Sequence, residues 1–265
     1  MIRLDYELVS RGLCKSRERA KEYILSGQVY INSVPAKKVS QDVSERDDIE
    51  FVGKTLKYVG RGGLKLESAI KVFNIDISGL ICLDIGASTG GFTDCMLQNG
   101  AKRVYAVDVG HGQLAEKLRI DSRVVNIEGV NVKDFTQSMF PEPIDFAAAD
   151  LSFISAVFAV NALKLVLPIG KKAVLLIKPQ FEAGREYLSK SGVVRDRKVH
   201  ARVLKELCST IEHSGFSVLG LEPSPILGGN GNVEYLAHIV KQTSFTQYDA
   251  DFSGLVSRAF ERVKL

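Results

Sequence analysis

The chain has 265 residues, 45% of them hydrophobic, and a formal net charge of +4, which is typical of a folded globular protein with one or two domains. The longest apolar stretch without a charge, 151–163, is too short to span a bilayer, and the amino-terminal residues are charged where a signal peptide needs an apolar core. The four cysteines and four histidines show no metal-ligand spacing, so we expect reduced cysteines, a cytoplasmic protein and no metal site.

The first 38 residues carry the whole charge surplus. They contain eight Lys or Arg and four Asp or Glu, so the remaining 227 residues are neutral. Apolar spacing predicts a helix that ends at Gly12 and a second helix from the N-cap Ser16 to Gly27, followed by the strands QVYIN and DDIEFV. The second helix is expected to bury Ala20, Tyr23, Ile24 and Leu25. A basic surplus at the front of the chain favours an anionic partner.

The spacing of residues in this module resembles the S4 RNA-binding domain. The pattern is R-L-D-x-x-L-V-x-x-G-L, then S-R-x-x-A-x-x-x-I-x-x-G-x-V-x-x-N, within residues 2–52. The resemblance implies that the second helix and the loop before it contact structured RNA, mainly through phosphates. The candidate RNA-binding residues are Arg3, Arg11, Lys15, Arg17, Arg19 and Lys21.

Residues 53–63, GKTLKYVGRGG, predict a linker, so we expect the RNA-binding domain and linker over 1–59 and a larger domain over 60–265. After the helix LKLESAIKVFN, strands and helices alternate, and the last two strands are adjacent in the chain, so we expect them to be antiparallel. This order predicts a Rossmann-like α/β fold, a parallel sheet with helices on both faces that binds ligands at the carboxyl ends of its strands. The predicted strands are GLICLDIG, RVYAVDVG, RVVNIEG, IDFAAADLSF, KKAVLLIKPQF, FSVLGLEPSP and NVEYLAHIVK.

A glycine-rich turn, DIGASTGGF at 84–92, follows the first of these strands. It lacks the second glycine of the dinucleotide fingerprint and the G-K-[ST] of a Walker loop, which weakens both phosphate-binding interpretations. Asp84 precedes the turn, and Asp108 ends the next strand, where it can accept hydrogen bonds from ribose hydroxyls. A ligand with a ribose and a cationic head but no phosphate fits these acids, and S-adenosylmethionine is such a ligand. A plain structural turn is the alternative.

The methyl acceptor is the next question, because methyl transfer requires an aligned acceptor atom. A cytosine-carbon methylase requires a nucleophilic cysteine near the fourth strand, and none of the four cysteines lies there. The string DLSF at 150–153 lacks the two prolines of the exocyclic-amine motif [DNS]-P-P-[YF], so that class is disfavoured but open. A ribose 2′-hydroxyl needs a group to take its proton, and a lysine can do so if its pKa falls from about 10.4 toward roughly 7–8.

Four residues fit this last chemistry. Lys178 ends the apolar strand AVLLIK, Asp150 ends the neighbouring strand, Glu234 begins the final strand, and Lys65 lies at the start of the first helix of the larger domain. In this order they resemble the catalytic tetrad of the FtsJ-like 2′-O-methyltransferases. The strings RGGLKL, AADLSFIS, LIKPQFE and GNVEYL behind an S4-like domain resemble the TlyA-type, or hemolysin A, family of ribosomal RNA methyltransferases.

The resemblance implies an enzyme that uses S-adenosylmethionine to methylate cytidine riboses of ribosomal RNA in assembled subunits, with no metal. A membrane-lytic protein, as the family's older name suggests, is disfavoured by the absence of an apolar span. An RNA-binding assembly factor without catalysis is a further alternative. The expected cofactor-binding residues are Asp84, Gly86, Ala87, Ser88, Gly90, Gly91, Phe92 and Asp108, with Asn131 near the adenine.

Overall fold

A computed structural model describes residues 2–25, 27–32, 34–51, 57–243 and 247–262. The predicted linker residues 53–56 lie outside the described residues. The chain divides into two units, Met1–Lys57 and Tyr58–Leu265. This division falls two residues before the domain boundary that the sequence predicts.

The first unit contains two helices and two small sheets around its own core. Ser16 caps the second helix, because its Oγ accepts a hydrogen bond from the Arg19 amide at 3.3 Å. Ala20 and Ile24, one turn apart, pack into the core, whereas the expectation that Leu25 is buried was wrong, since it lies on another face and is 66% exposed. The elements are β1 (Ile2–Arg3), α1 (Leu4–Ser10), α2 (Arg17–Leu25), β2 (Val29–Ile31), β3 (Val34–Pro35), β4 (Asp42–Val43) and β5 (Ile49–Phe51).

The second unit is built on a seven-stranded sheet with the order β11-β12-β10-β9-β6-β7-β8. The strands are β6 (Ile81–Ile85), β7 (Arg103–Asp108), β8 (Val124–Glu128), β9 (Phe146–Ala149), β10 (Lys172–Ile177), β11 (Phe216–Pro223) and β12 (Tyr235–Lys241). β12 runs antiparallel to both β10 and β11, and the other pairs are parallel. The predicted Rossmann-like sheet with an antiparallel final pair is therefore confirmed.

Helices cover both faces of this sheet. They are α3 (Gly62–Val72), α4 (Gly91–Gln98), α5 (Glu116–Arg119), α6 (Val157–Val166), α7 (Pro179–Glu182), α8 (Arg197–His213) and α9 (Phe252–Arg262). Along β10, Ala173, Leu175 and Ile177 pack with α6, α8 and α9, while Val174 and Leu176 pack with α3 and α4. This alternation is why the strand reads as a continuous apolar run. All four cysteines are buried and free, as predicted.

The topology gathers the predicted site residues at one edge of the sheet. The parallel strands β6, β7, β9 and β10 all end there, so Asp150 and Lys178 follow two neighbouring strands at the same edge. Because β12 is antiparallel to β10 and pairs Tyr235 with Ile177, its beginning, rather than its end, lies at this edge. Glu234 is thereby placed beside Lys178 although it comes from the other end of its strand.

Candidate active site

The turn between β6 and α4 is shaped by glycines that have close neighbours. Gly86 and Gly90 have positive φ angles of 84° and 93°, which disfavour residues with a Cβ. A Cβ on Gly86 would lie 2.5 Å from the backbone oxygen of Asp150, and one on Gly90 would lie 2.2 Å from Leu118. These glycines therefore let the turn approach the loop after β9 on one side and α5 on the other.

Asp84 does not line the cavity beyond this turn, and its contact with the cofactor stays a prediction. Its side chain is fully buried, and Oδ2 accepts hydrogen bonds from the Thr93 amide at 2.8 Å and the Thr93 hydroxyl at 2.6 Å. Burial raises the pKa of Asp84 to about 7. The carboxyl group fastens β6 to the first turn of α4, because a buried acid needs hydrogen-bond donors and the helix amino terminus supplies them.

A cavity of about 460 Å³ opens at the carboxyl edge, between the turn and the ends of β7 and β9. Asp108 stands at its rim, where Oδ2 accepts from the Ser88 amide at 2.8 Å and Oδ1 from the Gly110 amide at 2.7 Å. Asn131 also lines the cavity, and its side chain caps a short turn by accepting from the Lys133 amide at 3.0 Å. Four predicted cofactor residues, Gly86, Ser88, Asp108 and Asn131, thus meet at one cavity.

The other predicted cofactor residues lie elsewhere around the turn. Ala87, Gly91 and Phe92 line a smaller cavity of about 130 Å³, together with residues 60–62, and Asp150 borders both cavities. Gly90 lines neither cavity in the described structure, because it packs against α5.

The four residues predicted to form a catalytic tetrad lie in two ion pairs. Lys178 Nζ lies 2.6 Å from Asp150 Oδ1, and Lys65 Nζ lies 2.6 Å from Glu234 Oε2. Side-chain exposure is 9% for Lys65 and 2% for Glu234, so this pair is buried, whereas Asp150, at 21%, leaves the Lys178 pair partly exposed. Asp150 links this pair to the larger cavity, since it lines that cavity while it contacts Lys178.

Further polar residues support the tetrad, and sequence reasoning did not single them out. The Ser152 hydroxyl accepts a hydrogen bond from Lys178 Nζ at 2.8 Å, and Gln180 Nε2 donates to Glu234 Oε1 at 3.4 Å. Glu182 accepts from the Ala156 amide at 2.7 Å and so holds the loop after β9 against α7. The signal for these residues was their position within the strings DLSF and KPQFE, next to Asp150 and Lys178.

The candidate RNA-binding residues of the first unit differ in how their charges are used. Arg3 and Arg17 both contact Asp5, at 2.9 and 2.7 Å, and together with Lys21 they line a surface groove. The hydrogen bond from Arg3 is the largest of the effects that lower the pKa of Asp5 to about 2.

Arg11 is tied into the domain itself, since it donates to Glu7 at 2.8 Å and to the Asp47 carbonyl at 2.8 Å. Arg19 contacts Glu22 at 3.3 Å, and Lys15 is exposed on the loop before α2. Arg3, Arg17 and Lys21 therefore share one groove, which Asp5 and Glu18 also line, and Arg11 has a structural contact network.

Comparison with known proteins assigns the fold and the site to a family. The pattern of the FtsJ-like methyltransferases matches residues 58–241, which includes the whole tetrad. The chain belongs to the FtsJ-like methyltransferase family. The S4 domain pattern matches residues 2–49 of the same chain, so this FtsJ-like enzyme carries an S4 domain in front of its methyltransferase domain.

Relatives of the FtsJ-like enzyme share both domains. The protein YqxC of Bacillus subtilis is 50% identical over 89% of this chain and 85% of its own length. The 16S/23S rRNA (cytidine-2′-O)-methyltransferase TlyA of Mycobacterium tuberculosis is 41% identical over 91% of this chain and 90% of its own length. A solved structure from Streptococcus thermophilus that carries a hemolysin name is 43% identical, covers 99% of this chain and 96% of its own, and has a TM-score of 0.82. The TlyA-type resemblance predicted from the sequence is confirmed.

Within the described residues, no helix combines the length and the apolar character that a bilayer crossing requires. In the same part of the chain, no group of three or more His, Cys, Asp or Glu side chains is arranged to hold a metal ion.

Proposed function

We propose that this FtsJ-like enzyme transfers a methyl group from S-adenosylmethionine to the 2′-oxygen of a cytidine in ribosomal RNA, within ribosomal subunits. The observation that carries the proposal is the two ion pairs, Lys178–Asp150 and Lys65–Glu234, the first of which reaches the cavity that Asp108 borders through Asp150. The reaction needs no metal in this scheme, and it takes place in the cytoplasm, where ribosomal subunits are found.

The residues around the larger cavity suit S-adenosylmethionine. Asp108 presents a carboxylate, which fits the two hydroxyls of a ribose, and Val130, Val132 and Phe135 offer an apolar wall for an adenine. The charged side chains that line it in the described structure, Asp108 and Asp150, are both acids, which favours a cationic ligand over a phosphate. When bound, S-adenosylmethionine would supply an electrophilic methyl carbon: the hydroxyl oxygen bonds to that carbon and loses its proton, and the carbon–sulfur bond breaks to leave a neutral thioether, S-adenosylhomocysteine.

The tetrad residues supply the rest of the chemistry. Lys178 accepts or steers the proton of the attacking 2′-hydroxyl. A lysine amine has room for three hydrogen-bonded or ionic neighbours, and Asp150 and Ser152 occupy two of them, which leaves one direction for the ribose. Asp150 and Glu234 tune the two lysines electrostatically, and Lys65 orients the hydroxyl. Burial strengthens each of these interactions compared with water.

An exposed aromatic ring beside the tetrad fits a nucleotide substrate. Phe153 is 91% exposed, lines the larger cavity and holds a positive φ of 65°, which is unusual for a bulky residue. Its ring centroid lies 5.3 Å from that of Phe181, on the helix that follows Lys178. Such a pair offers a stacking surface to an unstacked base, the form in which proteins bind single-stranded RNA.

The first unit supports an RNA substrate independently. The first 38 residues of this unit hold four more basic than acidic residues, and Arg3, Arg17 and Lys21 line a groove there, together with Asp5 and Glu18, in which they can contact phosphate oxygens. The TlyA protein of Mycobacterium tuberculosis, which has a similar sequence along both domains, methylates cytidine 2′-oxygens of 16S and 23S rRNA. We therefore assign docking of the rRNA to this domain and methyl transfer to the other.

The test compares ribosomal RNA from a strain that has this protein with RNA from a strain that lacks it. We expect mass spectrometry to find a cytidine heavier by one methyl group, whose 3′ phosphodiester resists alkali, and only in the first strain. A methyl group on the base of the same nucleotide, with normal alkaline cleavage, would instead indicate a base N-methyltransferase. Leakage of liposomes by the pure protein, with no change in the RNA, would support the membrane-lytic alternative.

A further inference from the structure

Gln180 is a polar residue that contacts the tetrad but has no role in the scheme above. It lies on α7, two residues after Lys178, and its Nε2 donates a hydrogen bond to Glu234 Oε1 at 3.4 Å. The other oxygen of this carboxylate, Oε2, accepts from Lys65 Nζ at 2.6 Å. Glu234 is therefore held from two sides, by a lysine and by a carboxamide.

The Glu234 carboxylate fixes which way the Gln180 carboxamide points. An ionised carboxylate only accepts hydrogen bonds, so the NH₂ group must face it, and the carbonyl oxygen must face away. That oxygen, Gln180 Oε1, is buried, and within the described residues no group donates a hydrogen bond to it. A buried acceptor without a donor is unfavourable and uncommon, which suggests that it meets a donor during the enzyme's work.

The chemistry of RNA limits what that donor can be. In an internal nucleotide the 3′- and 5′-oxygens are esterified, so the 2′-hydroxyl is the one donor that the ribose offers. Phosphate oxygens are acceptors and anionic, and Glu234 next to Gln180 would repel them. The remaining donor of a cytidine is its exocyclic amine, which belongs to the base rather than to the atom that receives the methyl group.

We propose that Gln180 Oε1 accepts the hydrogen bond of the target 2′-hydroxyl. This inference rests on the proposed 2′-O-methyl transfer. The contact orients the hydroxyl before the reaction and leaves an oxygen lone pair free to face the methyl carbon. As the carbon–oxygen bond forms and the carbon–sulfur bond breaks, the proton leaves its hydrogen bond with Gln180 for the neutral amine of Lys178, since a carboxamide is too weak a base to keep it. The hydrogen bond to Glu234 keeps the Gln180 carboxamide from flipping. Gln180 therefore couples the Lys65–Glu234 ion pair to the orientation of the attacking hydroxyl.

Two substitutions test the contact, with methyl transfer to ribosomal subunits from a strain that lacks the protein. Gln180→Met has a similar length and removes both the donor and the acceptor. We expect it to lower kcat by about ten- to hundredfold, because an unaligned nucleophile reacts slowly, and to change the KM for subunits little. S-adenosylmethionine affinity and the melting temperature serve as checks that the variant is folded.

Gln180→Glu gives a signature that a purely structural role would not produce. As a carboxylate it repels Glu234, but once protonated it donates from its hydroxyl to Glu234 and accepts through its carbonyl, as glutamine does. We therefore expect the ratio of its activity to that of the wild type to rise as the pH is lowered. This nearly isosteric variant decides the question even if Gln180→Met folds poorly.

The matched control is Asn126→Asp. Asn126 also donates from a carboxamide to a carboxylate, Glu128 Oε1 at 3.0 Å, but it is exposed on β8. The ratio of the activity of Asn126→Asp to that of the wild type should be near one and independent of pH. A Gln180→Met enzyme with wild-type kcat, or a Gln180→Glu ratio as flat as this control, would overturn the inference.

Subunits that carry uridine at the modified position show whether the donor is the base amine or the 2′-hydroxyl, because uridine has no exocyclic amine. If Gln180 contacts the hydroxyl, Gln180→Met lowers the rate on cytidine and uridine equally. If the variant instead loses a preference for cytidine that the wild type shows, the donor is the amine and the inference is wrong. Should the wild type transfer no methyl group to ribose at all, the proposed function fails first, and the two failures are thus distinguishable.

Discussion

Gly228→Ala should remove most of the methyl-transfer activity by displacing Glu234 from Lys65. Gly228 has a φ of −72°, which alanine adopts freely, so the backbone itself tolerates the change. A Cβ at this position would lie 1.9 Å from Glu234 Oε1, far inside van der Waals contact. Because the Glu234 side chain is only 2% exposed, it has little free space into which to move.

The size of the effect follows from the geometry. Ordinary contact with a Cβ begins at 3.4 Å, so the carboxylate must move by about 1.5 Å. If the movement is away from Lys65, the 2.6 Å contact lengthens to about 4 Å. With an effective dielectric constant of about 20, that change costs roughly 2 kcal/mol of Coulomb energy. We expect a comparable loss in the free energy of unfolding, and a fall in kcat of about thirtyfold if the whole amount is lost in the transition state.

The assay is incorporation of labelled methyl groups into ribosomal subunits, together with urea unfolding of each variant. The neighbour Gly229 is a matched control, since a Cβ there meets no atom within 4 Å and its φ is not positive. Gly229→Ala should keep wild-type kcat and change stability by no more than about 0.5 kcal/mol. Equal kcat for Gly228→Ala and Gly229→Ala would refute the claim that the position of Glu234 controls the reaction.

Three more predictions concern other parts of the molecule. Lys178→Ala should abolish methylation but leave the affinity for ribosomal RNA in filter binding unchanged; full activity would disprove its assigned role. Burial raises the pKa of Asp84 to about 7, so the folded chain keeps a proton that the unfolded chain loses near pH 4. The unfolding free energy of the wild type relative to Asp84→Asn should thus fall by up to about 4 kcal/mol between pH 4 and 7, and a constant difference would contradict this. Lys15→Ala and Lys21→Ala should each weaken RNA binding and reduce its logarithmic salt slope by about one, whereas an unchanged slope would place these lysines outside the RNA surface.

The sequence predicts the fold of this chain well because its strongest signals are local. Each strand of the large sheet is a run of apolar residues, and the antiparallel final pair was expected from two adjacent strand patterns. Helix α9 was missed, although Leu255, Val256, Ala259 and Phe260 have helical spacing and are buried. The burial of Leu25 was predicted wrongly because it is the last residue of its helix, and the sequence does not show on which face a terminal residue lies.

The candidate site was predictable as a set of residues but not as a set of contacts. The resemblance to the FtsJ-like enzymes predicts Lys65, Asp150, Lys178 and Glu234, but the sequence does not show which lysine contacts which acid, because strand order decides that. The direction of the Asp84 side chain was likewise not predictable: its carboxylate is buried and accepts hydrogen bonds from Thr93. The sequence does not show whether an acidic side chain at a strand end faces a cavity or accepts hydrogen bonds from the first turn of a helix.

The position of β12 has a consequence for the time at which the enzyme becomes active. A polypeptide is synthesised from its amino terminus, and β12, which lies between β10 and β11, comes after every other strand of the sheet. Until residue 234 has left the ribosome, Lys65 has no carboxylate partner, although it was made about 170 residues earlier. An unfinished chain therefore holds the S4 domain but not yet both ion pairs of the tetrad, so under the proposed function it could dock on RNA before it could methylate it.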